Sequence, residues 1–151
     1  MNQTFRTFRG FEQLRLLEES LSPSLEDYLE MIFRKTRYEE TMRNTDLAEE
    51  LNVSVASATK NVQRLSCLGF IIYEPYGKLK LTKLGEATGQ FLYNRHEIIE
   101  RFFQVLGSLE SGFVETEMIE HYLSQSTVER LELLTHFLEK YHQEWINFSA
   151  E

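Results

Sequence analysis

Leu47-Ala48-Glu49-Glu50-Leu51-Asn52-Val53-Ser54 decides the fold. Leu47, Ala48 and Leu51 recur at helical spacing and predict the inward face of a short helix over Asp46–Leu51, capped by Asn44 or Thr45. Asn52-Val53 makes a tight turn. Ser54 caps a second helix that runs to about Leu68, with Ala58, Val62 and Leu65 as its buried stripe and Gly69 as its stop. Phe70–Tyr73 and Leu79–Thr82 are strand-like and flank the turn cluster Pro75-Tyr76-Gly77. Upstream, Ser22 and Pro23 open a helix carrying Leu25, Tyr28, Leu29, Ile32 and Phe33 and ending near Arg37. Helix, helix, turn, helix and hairpin is the order of a winged helix-turn-helix, a DNA reader.

Working outward, Thr82 or Lys83 opens a long helix to about Leu106. It carries Phe91, Leu92, Ile98, Ile99, Phe102 and Phe103. Residues 114–123 form a short helix. Ser126 caps the last one, which carries Val128, Leu131, Leu134, Phe137, Leu138 and Tyr141. Three apolar-faced helices after a DNA reader point to dimerisation. The expected fold is mainly α: a winged helix-turn-helix over 21–83, then an all-helical dimerisation and metal-binding domain over 84–151. Residues 1–20 read as a loose arm and short amphipathic helix, with Phe5, Phe8 and Phe11 alternating with Arg6 and Arg9. Cys67 is expected to be a small buried apolar residue, and Trp145 a packing residue of the last helix.

The charge is uneven. The 151 residues carry a net −8, which argues against nucleic acid until its distribution is considered. Residues 1–83 hold 12 basic and 12 acidic side chains, whereas 84–151 hold 4 and 12. Within 52–83, Lys60, Arg64, Lys78, Lys80 and Lys83 face only Glu74, a basic island where a phosphate backbone would bind. On the recognition segment, Ser54, Ala56, Ser57, Thr59, Lys60 and Arg64 are the candidate DNA contacts. Small residues there let a helix approach base edges. Tyr76, Lys78 and Lys80 would reach phosphate from the wing. No apolar run approaches the roughly 18 residues of a membrane span, no signal-like start is present, and the single cysteine excludes an internal disulfide. A cytoplasmic protein with no membrane partner is expected.

Two acidic motifs and two histidines carry the remaining chemistry. Asp27-x-x-Glu30 lies on the first helix, Glu117-x-x-Glu120-His121 on a later one, and His96 on the long helix. Spacing of three places each carboxylate pair on one helical face. Taken singly, these are ordinary solvated carboxylates and a surface histidine. Taken together, they are a carboxylate-rich donor set with two imidazoles, suited to Mn²⁺ or Fe²⁺. A metal site tied to a DNA reader suggests a metal-sensing regulator.

Pro23-Ser24-Leu25-Glu26-Asp27-Tyr28-Leu29-Glu30 resembles the opening of the diphtheria toxin repressor family, closest to its manganese transport regulator branch. Tyr93-Asn94-Arg95-His96-Glu97 and Glu117-Met118-Ile119-Glu120-His121-Tyr122-Leu123-Ser124 resemble that branch's two later metal motifs, in the same order. The similarity covers roughly residues 21–140. It implies a metal-activated repressor of metal-uptake genes, binding double-stranded operator DNA as a homodimer, with two ions per subunit. Asp27, Glu117, Glu120 and His121 would hold one ion, and Glu30, His96, Glu117 and Glu120 the other. Glu100, one turn beyond His96, is an auxiliary candidate. The iron-selective branch has Met where Asp27 stands and Cys where Glu117 stands. Hard oxygen donors here favour Mn²⁺, with Fe²⁺ second. The chain is expected to depart from the pattern at residues 1–20, in having no SH3-like third domain, and at Val55, where proline is common.

Two other readings stay open at this point. A winged-helix regulator answering to a small molecule or partner would leave Asp27, Glu30 and Glu117 as surface groups. A dinuclear enzyme is the weaker reading, because neither His96 nor His121 has a glutamate three residues before it. No enzyme is therefore expected.

Overall fold

Pro23 opens helix α1, Pro23–Thr36, at a position where its missing N–H costs nothing. The apolar stripe buries Leu25, Tyr28, Leu29, Ile32 and Phe33. A two-residue strand β1, Met42–Arg43, leads into α2, Asn44–Glu50. Asp46 closes the start of α2 by accepting from the Arg43 N–H at 2.8 Å. The cap therefore begins one residue earlier than the sequence predicts. Asn52 takes φ 51°, the left-handed conformation that asparagine tolerates in a tight turn. Ser54 caps α3, Val55–Cys67, its Oγ accepting from the Ser57 N–H at 3.2 Å. Ala58, Val62 and Leu65 are fully buried, as the stripe requires. These features belong to a computed structural model that describes residues 21–38, 42–74, 77–107 and 112–150. The proposed arm at 1–20 lies outside the described residues.

β2, Ile71–Ile72, and β3, Lys78–Leu81, form the hairpin. β1 adds a third strand, giving the order β1-β3-β2 with both pairings antiparallel. Met42, Ile71 and Leu79 point to the core side, whereas Arg43, Ile72, Lys78 and Lys80 are exposed. Full burial of Leu29, Ile32, Leu47 and Leu65 contributes about 1.5–3 kcal/mol each.

Thr82 fastens the next element to this core. Its hydroxyl lies 2.7 Å from the Gly69 carbonyl and 3.1 Å from that of Phe70, and its N–H donates to Phe70 O at 3.0 Å. It also receives the Gly85 N–H at 3.1 Å, opening α4, Lys83–Leu106. Gly85 passes so close to Phe70 that a Cβ there would stand 1.9 Å from the Phe70 carbonyl oxygen.

The chain divides into two compact units, with the boundary between Glu86 and Ala87. In the second, α4 is followed by α5, Gly112–Ile119, a 3-10 turn over Glu120–Tyr122, then α6, Gln125–Lys140, and α7, His142–Ser149. Ser124, not Ser126, caps α6, its Oγ accepting from the Thr127 N–H at 3.3 Å. Tyr141, at φ −112° and ψ 38°, separates α6 from α7 where the periodicity suggests one helix. Trp145 packs against Phe148, with ring centroids 6.2 Å apart. This unit buries Leu92, Ile99 and Val128 but exposes Phe113, Val114, Met118, Leu133, Leu134, Phe137 and Phe148. So much exposed apolar surface marks an association face.

Candidate metal centre and nucleic-acid interface

The buried stripe of α4 runs Leu92, His96, Ile99, with Arg95 buried alongside. Polar groups therefore occupy the middle of an apolar stripe, which requires built partners. His96 Nδ1 lies 2.9 Å from Glu120 Oε2 and 3.7 Å from Glu117 Oε1. His96 Nε2 lies 4.0 Å from Glu100 Oε2. The other oxygen of Glu120 stands 3.7 Å from His121 Nε2. The side chains of His96 and Glu120 are each only 2% exposed, that of Glu117 45%. The Phe113 ring meets His96 edge-on at 6.1 Å and forms an apolar wall.

The 3-10 turn shapes this cluster. The sequence predicts Glu117 and Glu120 on one continuous helix, but α5 ends at Ile119. The tighter turn carries both Glu120 and its neighbour His121 into buried positions. Arg95, which the motifs did not flag, approaches His121 Nδ1 with its Nη2 at 3.2 Å. A guanidinium only donates, so His121 Nδ1 accepts and the neutral ring carries its proton on Nε2, toward Glu120. His96 in turn presents Nδ1 to the same carboxylate. Two imidazoles thus converge on one buried glutamate, an arrangement in which a divalent cation could take the place of protons. The sequence signal for Arg95 was its place three residues after Leu92, on the same stripe.

In the first unit, Asp27 and Glu30 lie one turn apart on α1, Glu30 buried and Asp27 half-buried. Glu30 Oε1 accepts from Arg34 Nη2 at 2.6 Å. Along α3, Ala56, Ser57, Lys60 and Arg64 are exposed, as is the capping residue Ser54. Thr59 is half-buried. Its hydroxyl donates to the Val55 carbonyl at 2.8 Å and accepts from Asn44 Nδ2 at 2.8 Å. Lys78 and Lys80 are exposed on the wing, while Tyr76 lies outside the described residues. Cys67 is exposed rather than buried, because the stripe of α3 ends at Leu65 and residue 67 falls on the opposite side.

Residues 20–79 match the iron dependent repressor N-terminal DNA binding domain, and residues 82–144 its metal binding and dimerisation domain. The HTH-type transcriptional regulator MntR of Lysinibacillus sphaericus (strain C3-41) is 38% identical over 120 residues, covering 79% of this chain and 86% of the relative. The chain belongs to the iron dependent repressor family. The MntR of Bacillus pumilus (strain SAFR-032) is 36% identical to this repressor over 130 residues, covering 85% and 90% of the two chains. Among solved structures, the manganese regulator SloR is similar at 25% identity and a TM-score of 0.59 over 78% of this chain and 55% of its own. ScaR with bound Zn²⁺ is similar at 27% identity and 0.60, over 75% and 54%. The repressor therefore spans about half the length of those two structures. It is a metal-dependent, DNA-binding transcriptional regulator and not an enzyme. Among the described residues, no helix is long and apolar enough to cross a membrane.

Proposed function

We propose that this repressor is activated by Mn²⁺, with Fe²⁺ as second choice, and that each subunit takes two ions. The observation that carries the reading is Glu120, buried between the imidazoles of His96 and His121 with Glu117 beside it. All the donors are oxygen or imidazole nitrogen, a set that favours Mn²⁺ over metals that prefer thiolates. Asp27, Glu117, Glu120 and His121 hold one ion, and Glu30, His96, Glu117 and Glu120 the other, with Glu100 as auxiliary. Glu30 must then exchange its Arg34 partner for metal. The similarity to SloR, a manganese regulator, supports the same metal.

Once bound, the ion supplies positive charge that holds carboxylates of like sign together. In its absence their repulsion favours other arrangements, so metal selects the DNA-competent state by differential affinity. The protein acts in the cytoplasm as a homodimer on double-stranded operator DNA at metal-uptake genes. Ser54, Ala56, Ser57, Lys60 and Arg64 face the major groove, Thr59 contributes mainly its methyl, and Tyr76, Lys78 and Lys80 meet the backbone. Calorimetric titration of metal-free protein with Mn²⁺ tests the metal reading. Two tight equivalents per subunit are expected, and no heat of binding contradicts it.

A further inference from the structure

Thr59 stands at the border between the buried stripe of α3 and the exposed face that carries Ala56 and Lys60. Its hydroxyl hydrogen is spent on the Val55 carbonyl, 2.8 Å away. Only a donor can therefore meet its lone pair, and Asn44 Nδ2 does so at 2.8 Å. That fixes which way the Asn44 amide faces. Among the described residues, the other amide atom, Oδ1, is buried and meets no donor. Asn44 is the first residue of α2, so the bond ties the start of that helix to the second turn of α3. Among the described residues, no other hydrogen bond joins α2 directly to α3.

Packing does not call for an amide here. A leucine of nearly the same shape would fill the position without stranding a buried acceptor. What the amide adds is direction. α2 and α3 otherwise pack as part of an apolar core that buries Leu47, Ala48, Ala58 and Val62. Hydrophobic burial is non-directional. It sets which face of α3 turns inward, and a hydrogen bond at the border of the stripe opposes a roll of the helix about its axis. Reading base edges needs side chains held to within about 0.5 Å. A roll of α3 would move Ala56, Ser57 and Lys60 together.

We propose that Asn44 is a positioning residue for sequence reading: through the Thr59 hydroxyl it sets the roll of α3, and with it the base preference of Ala56, Ser57 and Lys60. The inference rests on DNA entry by α3. Asn44 acts through Thr59 and not on the nucleic acid, so its loss changes discrimination between sequences and leaves the phosphate contacts in place.

The test uses the full-length Mn²⁺-loaded protein, a duplex that the wild type enriches from random-sequence DNA, and a scrambled duplex of equal length. Asn44→Leu and Thr59→Val each remove the tie from one side, the valine keeping the threonine methyl, and the double variant removes both partners. Each single change is expected to lower the ratio of affinities for the enriched and scrambled duplexes about fivefold. The double variant should lower it no further than the larger single loss, because both changes break one bond. Affinity for the scrambled duplex and the salt slope should stay as in the wild type, and the thermal midpoint of DNA-free Asn44→Leu should be unchanged or raised. An unchanged ratio in both single variants overturns the positioning role. Equal weakening of both duplexes overturns it too, since that is the mark of a lost phosphate contact, as do losses that add in the double variant. Wild type that binds neither duplex overturns DNA entry by α3 and the positioning role with it.

Discussion

His96 Nδ1 and Glu120 Oε2 lie 2.9 Å apart between side chains that are each only 2% exposed. A buried carboxylate paired with an imidazole is costly to desolvate, and the cost falls when a cation or proton neutralises it. Because Glu120 also faces His121, it is the donor on which both proposed ions depend. Glu120→Ala is expected to weaken Mn²⁺ binding by more than about 100-fold and to remove both ions, whereas His96→Ala leaves one. Metal analysis after gel filtration reads the stoichiometry, and Glu120→Gln keeps the volume if the alanine variant folds poorly. Two retained ions in either Glu120 variant contradict the bridging role.

Donor softness gives a second expectation. Asp27→Met combined with Glu117→Cys replaces two hard oxygens by sulfur. Activation of DNA binding by this variant should shift from Mn²⁺ toward Fe²⁺, by about tenfold in relative midpoint. An unchanged preference shows that these two positions do not set selectivity.

Gly85 is a packing glycine rather than a turn glycine. A methyl group there meets the Phe70 carbonyl oxygen, which is backbone and cannot rotate away. Gly85→Ala should cost about 2–3 kcal/mol in urea unfolding. A change below about 0.5 kcal/mol would show that the α4 start is not held against Phe70.

The two ends of the α3 stripe differ sharply. Leu65→Ala, at a fully buried position, should cost about 3 kcal/mol. Cys67→Ser, on an exposed residue, should change stability by less than about 0.5 kcal/mol. Equal losses would mean that Cys67 is buried in solution.

Much of the reader was legible because its signals are local. Ser54 caps, Gly69 takes φ 82°, and Leu47, Ala48, Ala58, Val62 and Leu65 repeat at helical spacing, so each element announces itself within a few residues. β1 was not legible. Met42–Arg43 is two residues long and exists only through its pairing with Leu79 and Lys78, far along the chain. The Ser124 cap was missed because Ser124, Ser126 and Thr127 compete within four residues, with the two serine oxygens 3.0 Å apart. In the second unit the proposed donors His96, Glu117, Glu120 and His121 could be named from their motifs. The 3-10 turn that buries Glu120 and His121 together could not, because helical spacing assigns 117 and 120 to one face whether or not the helix continues. Arg95 escaped because its contact is with His121, distant in sequence.

Metal-driven DNA binding is open to direct measurement. Fluorescence anisotropy of a labelled duplex enriched by the metal-loaded protein measures it directly, at fixed salt, with Mn²⁺ and with chelator. Mn²⁺ is expected to raise affinity at least about tenfold, corresponding to about 1.4 kcal/mol or more of coupling, and the rise is expected to be lost in Glu120→Gln. Equal affinity with and without Mn²⁺ would contradict it.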